Sequence, residues 1–152
     1  MELLPIRAVV FGWEGVLYKC GTGPFNDAFD TLLELRDRYR IPLGISYTAR
    51  NCVGRKKEIE NSSLKSFFDN ANVMISADNI EHQYLALMKQ LGAFDRQTAL
   101  VESDLSRINI GKQINMPVFL IQRNKHATLQ QSETTVKADH IITSLTEILD
   151  YV

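Results

Sequence analysis

Residues 9–18, VVFGWEGVLY, read as a buried strand running into a glycine turn. Every residue of the preceding IRAVVF (6–11) but Arg7 is apolar, and two of them are valines. A short run of this kind fits a strand covered on both faces, as in a parallel sheet. A chain that does covalent chemistry at such a turn needs a nucleophilic side chain at the strand's end. Here that place is held by Gly12, followed by Trp13 and Glu14. The fold is therefore legible in this stretch, and the function is legible mainly in what the stretch lacks.

Strand and helix signals alternate outward from it. Pro24 precedes an amphipathic segment in which Phe25, Phe29, Leu32, Leu33 and Tyr39 recur near helical spacing. PLGIS (42–46) predicts a second strand, and the polar residues 49–60 are compatible with a helix. VMIS (73–76), TALVE (98–102) and MPVFLI (116–121) predict three more strands. Ile80, Tyr84, Leu87, Met88 and Leu91 form the stripe of a helix over 79–91, which Gly92 stops. A further helix is expected over 105–114, a polar surface loop over 122–137, and a short strand and last helix over 138–152. The pattern predicts one α/β domain over 1–152, a three-layer, Rossmann-like parallel sheet with helices on both faces. In such sheets ligands bind beyond the carboxyl ends of the strands. That directs attention to residues 12–15, 46–50, 76–79 and 102–107.

Composition bounds the partners. The chain has 152 residues, 45% hydrophobic and 23% charged, with 17 basic and 18 acidic side chains and a net charge of −1. This balance gives no footprint for nucleic acid or an anionic membrane, and no apolar run is long enough to span a bilayer. With no basic segment ahead of a long apolar stretch, a cytoplasmic protein is expected. Cys20 and Cys52 form no metal-binding spacing and read as reduced thiols. His82, His126 and His140 are far apart and read as surface residues, and Arg55, Lys56 and Lys57 read as a solvated helix face.

In order along the chain, several of these segments resemble the motifs of the haloacid dehalogenase (HAD) superfamily, and of its β-phosphoglucomutase-like branch in particular. Gly15, Val16 and Leu17 match the end of the family's first motif, Asp-x-Asp-Gly followed by Val or Thr and Leu. PLGIS with YTAR resembles the second motif, LKSFFDNANVMIS the segment before the third, and ALVESDLSRINIGKQINMPVFLI the fourth-motif region, where that branch reads Val-Glu-Asp-Ser. ADHIITSLTEIL is similar to the closing strand and helix. The resemblance implies phosphoryl transfer through an aspartyl-phosphate with Mg²⁺ clamping the phosphate.

Carried over residue by residue, the resemblance implies a degenerate site. The nucleophile's position is Gly12, and the acid/base position is Glu14. The phosphate-binding hydroxyl is Ser46, with Thr48 nearby. The third-motif lysine falls on Asp78, the nearest lysines being Lys65 and Lys89. The fourth-motif acid falls on Ser103, with Asp104 one place late, and a later acid falls on Arg107. Mg²⁺ needs several hard oxygen ligands, and Gly12 and Ser103 remove both usual acids, so no cofactor is expected. Mg²⁺ would return only in an altered enzyme, with Glu14, Asp104 or a partner's residue supplying what is missing; Asp104 would bind it through a one-residue shift, and otherwise reads as a helix N-cap acid. Glu14 reads as a turn carboxylate or a general acid, and Ser46 as an anion-binding hydroxyl or a vestige. Arg107 reads as a partner of Asp104, as a guanidinium in the metal's charge position, or as a solvated helix residue. The gaps between motifs hold one helix-sized segment each, which implies a fold without a cap domain. A pseudoenzyme working through a protein partner or as a homo-oligomer is expected, with an altered phosphatase or a phosphate sensor as alternatives. Trp13 or Tyr47 on an open face would form such an interface, unless both turn inward beneath their loops.

Overall fold

A computed structural model describes residues 5–77, 79–123 and 138–152. Its main sheet has six parallel strands, in the spatial order 73–76, 43–48, 8–11, 98–102, 118–121 and 140–142. These are β1 (Ala8–Phe11), β4 (Leu43–Thr48), β5 (Val73–Ser76), β6 (Thr98–Glu102), β7 (Val118–Ile121) and β8 (His140–Ile142). The quoted stretch thus supplies the central strand. Side chains alternate across β1 as the strand period requires: Val9 and Phe11 enter one core cluster, Ala8 and Val10 the other. All four are fully buried, and burying a valine or phenylalanine stabilises by about 1.5–3 kcal/mol.

One face is covered by α3 (Ile80–Leu91) and α4 (Leu105–Gln113), through Tyr84, Leu87, Met88, Leu91 and Ile108. The other is covered by α1 (Ala28–Leu33), by α2 (Cys52–Glu60) and by the closing segment Leu145–Tyr151. The helix expected from Pro24 onward begins at Ala28 and continues past Leu33 as a π-helical stretch over Glu34–Arg38. The last helix is a 3₁₀ segment, capped by a reciprocal Ser144–Glu147 box. Among the described residues the connections between strands carry these helices and short turns, so the layers are those the alternation predicts. No helix among them is long and apolar enough to cross a membrane.

Two features depart from the sequence reading. A small antiparallel hairpin, β2 (Tyr18–Lys19) with β3 (Gly23–Pro24), follows the first loop. The expected surface loop over 122–137 begins instead with a tethered residue. Arg123 grips Asp27 through both guanidinium nitrogens, at 2.7 and 2.8 Å, and donates to the Val16 carbonyl at 2.6 Å. Its guanidinium lies 3.9 Å from the centre of the Phe25 ring. Asp27 also accepts from Ser144 Oγ and Leu145 N. One carboxylate therefore joins the loop after β1, the end of β7 and the closing helical turn. Residues 124–137, including His126, lie outside the described residues.

Candidate functional site

The carboxyl ends of β1, β4 and β6 meet at the centre of the sheet, and the residues there were built by strand register. Phe11 lies beside Ile45 on one side and beside Val101 on the other. The next residue along, Gly12, is thereby brought beside Glu102, the last residue of β6. Glu102 is 1% exposed. A Cβ added to Gly12 would stand 2.2 Å from Glu102 Oε2 and 2.5 Å from Oε1. The glutamate carboxylate therefore fills the space into which a side chain at residue 12 would extend. Glycine is required here by close approach, not by backbone conformation. Gly15 differs: it turns the loop at φ +79°, and a Cβ there would meet Ser103 Oγ at 2.7 Å. The first loop thus rests directly on the loop after β6.

Arg107, on the first turn of α4, completes the cluster. Its Nη1 lies 3.4 Å from Glu102 Oε2, and its Nη2 donates to Thr48 Oγ1 at the end of β4. Ser103 N donates to Glu102 Oε1 at 2.8 Å. Burial is the dominant influence on the Glu102 carboxyl and pushes its pKa up to about 7, against the opposing pull of Arg107 and the Ser103 amide. Tyr84 stands on α3 with a buried hydroxyl that has no hydrogen-bond partner among the described residues. Burial first, and the Glu102 charge second, raise its pKa.

Of the other sequence-derived candidates, Asp104, Glu14, Ser46 and Thr48 have structural partners. Asp104 is the N-cap of α4, accepting from Ser106 N at 2.8 Å and Arg107 N at 3.4 Å. Burial raises its pKa, but these bonds and the Ser106 hydroxyl outweigh it and hold the group below the usual carboxylate range. Arg107 pairs through its side chain with Glu102, not with Asp104. Glu14 accepts from Cys20 N with both oxygens at 3.1 Å, fixing the β2–β3 hairpin. Ser46 is 4% exposed and donates to Gln83 Oε1 at 2.6 Å; Gln83 in turn donates to Ser76 Oγ and to the Tyr47 carbonyl. The hydroxyl expected to meet an anion is thus committed to α3. Thr48 is at the strand end, where its hydroxyl accepts from Arg107. Asp78 lies outside the described residues. Lys65 is bound to the Phe68 carbonyl and Asn70 Oδ1, and Lys89 is in the last turn of α3, away from the strand ends.

The expectation of an aromatic docking face is corrected here. Trp13 is 1% exposed and Tyr47 9%. The second strand runs two residues further than expected, to Thr48, and strand alternation sends Tyr47 into the same core cluster as Ile45. Trp13 stacks on Tyr18, with ring centroids 4.9 Å apart and planes 13° apart, and donates to Glu58 Oε1 on α2 at 2.9 Å. It packs beneath its neighbours and presents no open surface.

The donor set does not suit Mg²⁺. Gly12 and Ser103 bring no carboxylate, Glu102 is committed to a guanidinium, and Asp104 is committed to a helix cap. Among the described residues no group of three acidic, histidine or cysteine side chains converges. The residue that sequence reading missed is Glu102. Its signal was an acid closing an otherwise apolar strand, beside the glycine of the central strand.

No protein-family model matches the sequence, and a search of curated proteins finds no match. Solved structures do match. An L-2-haloacid dehalogenase aligns over 98% of this chain and 99% of its own, with a TM-score of 0.79 at 14% identity. A HAD-family hydrolase from Deinococcus radiodurans, solved with bound phosphate and sodium, aligns over 95% and 93%, with a TM-score of 0.72 at 14% identity. The cobalt-bound deoxy-D-mannose-octulosonate 8-phosphate phosphatase from Haemophilus influenzae aligns over 91% and 78%, with a TM-score of 0.64 at 15% identity. At these identities the likeness is one of fold.

Proposed function

From the HAD-like hydrolase fold that the chain displays, we propose a non-catalytic domain that acts by binding a protein partner, as a regulatory or scaffolding module. The observation that carries this reading is the Glu102 carboxylate lodged against Gly12 and paired with Arg107. A covalent phosphoryl-transfer site of the kind the fold hosts needs an accessible carboxylate and a place for a divalent cation. Here the place beside the central strand holds a buried carboxylate, and the compensating positive charge comes from the protein itself. A guanidinium neutralises that carboxylate without offering any coordination position.

The test is an assay of p-nitrophenyl phosphate and a panel of phosphomonoesters with Mg²⁺. The expected result is no turnover near the range typical of enzymes, about 1–10³ per second. Gly12→Asp alone should not create activity, because the new carboxylate would compete with Glu102 for one space and leave Ser103 and Arg107 unchanged. Mg²⁺-dependent turnover by the unaltered chain would overturn the reading.

One observation favours a second reading. The Glu102 carboxylate overlaps the place where a residue-12 Cβ would stand, so it occupies ground that a nucleophile at residue 12 would use. An altered hydrolase would then employ Glu102 itself. Turnover abolished by Glu102→Gln in a folded variant would select this alternative.

A further inference from the structure

β5 forms one end of the main sheet. All four of its residues, Val73–Ser76, are half-buried, whereas the central strands are almost wholly buried. Met74 packs toward α3, while Val73 and Ile75 face the other side and pack against the α2 core cluster. There, with Ile59 of α2, they line a groove of about 240 Å³. That is smaller than the roughly 300–1,000 Å³ of small-molecule pockets, and it suits an aliphatic side chain. Among the described residues no strand pairs with the outer side of β5, so a further strand can be added there.

Charge selects the occupant. Lys56, Lys65 and Glu60 rim the groove, and Lys57 stands beside Lys56 on the exposed part of α2. Glu58, the other acid of the helix, is already engaged by Arg55 at 2.9 Å and by Trp13. Lys65 is held by two neutral oxygens, the Phe68 carbonyl at 3.2 Å and Asn70 Oδ1 at 2.7 Å, so its position is fixed, with no acidic partner among the described residues. With two lysines to one acid the rim is net positive, so a second copy docking edge to edge would bring two positive rims together.

Resting on the binding-module reading above, we propose that β5 and its groove receive an extended acidic segment of another protein as an added strand. An aliphatic side chain of that segment enters the groove between Ile59, Val73 and Ile75, and carboxylates two residues to either side meet Lys56 and Lys65. Backbone pairing with β5 supplies the direction, and alternate side chains supply the choice of sequence.

The probe is a capped, fluorescein-labelled peptide, Thr-Glu-Thr-Val-Thr-Glu-Thr, titrated with the full chain and followed by anisotropy. Saturable binding that weakens with added salt is expected, and the counterpart with both glutamates replaced by lysine should bind at least about tenfold more weakly. Lys56→Glu, at an exposed position, should weaken binding about threefold or more. Two further peptides carry N-methyl groups on one or the other alternate set of amides. Only the set facing β5 should abolish binding. Failure of the parent peptide to bind, equal binding of the lysine counterpart, or equal behaviour of the two N-methylated peptides would overturn the proposal. These outcomes are independent of phosphatase turnover: activity with peptide binding intact would remove only the silent-site reading, and lost peptide binding without activity would remove only this one.

Discussion

Glu102 and Gly12 occupy one another's space. The glutamate carboxylate lies within 2.2 Å of where a Cβ on residue 12 would stand, so the two positions are coupled through volume as well as through charge. Gly12→Ala should therefore destabilise the fold by about 1–3 kcal/mol, the usual range for overpacking a filled interior. In a Glu102→Ala background the same change should cost less, with a coupling of about 0.5–3 kcal/mol. Urea unfolding of the two single variants and the double variant measures this. Strictly additive losses would mean that the carboxylate yields freely and does not fill the site.

The Glu102 carboxyl also sets a pH dependence. Its pKa is raised to about 7 in the folded protein from an ordinary 4.5. Between those values the folded state holds a proton that the unfolded state has released. Stability from this group must then fall as pH rises through the window, and level off above it. Compared with Glu102→Gln, the unaltered protein should lose as much as ~3 kcal/mol between about pH 4.5 and pH 7. Denaturation midpoints of both proteins across that range provide the check; a parallel pair of curves would refute it.

Trp13 should behave as a core residue. Trp13→Ala removes a buried ring system and should cost about 3–5 kcal/mol. Trp13→Phe keeps much of the ring contact with Tyr18 but loses the hydrogen bond to Glu58, and should cost less, with about 1 kcal/mol from that bond. Thermal melts of the two variants distinguish these values. A melting temperature unchanged in Trp13→Ala would show that the indole is not part of the packed interior.

Arg123 should matter more than its place in a polar stretch suggests. Arg123→Met removes both bonds to Asp27, which is left with Ser144 and Leu145, and should destabilise by about 1–3 kcal/mol, less than a fully buried pair because both side chains are partly exposed. Burial raises the Asp27 pKa, but Arg123, Leu145 and Ser144 together bring it below 3.8. A depressed carboxylate stabilises above its unfolded pKa and loses that stability as pH falls through the folded value. The difference between the variant and the unaltered protein should therefore shrink on acidification below about pH 4. A difference that stayed constant in acid would place the effect in packing alone.

The strands of the sheet were legible because buried parallel strands are short apolar runs, and VMIS and TALVE matched residues 73–76 and 98–102. The β2–β3 hairpin was not, because strands of two residues carry no period to read. The chemistry at the strand ends was only half legible. Gly12 could be seen as an absence, and Asp104 as a helix cap. That Glu102 fills the gap follows from register, since Phe11 beside Val101 brings the next pair together. No local pattern contains that fact. Tyr47 was misplaced for a simpler reason: a strand two residues longer than its apolar run turns a loop aromatic into a core one.

The order of the strands has a consequence for how the chain is made. β1 emerges first from a ribosome, yet it lies between β4 and β6 and is fully buried only when both are present. At roughly 5–20 residues per second, Val9, Val10 and Phe11 spend seconds without their second neighbour, and loop closure over that length of chain is entropically costly. This fully buried central strand is therefore in need of protection during synthesis. A nascent chain that stopped short of Thr98 would hold half a sheet around an uncovered centre.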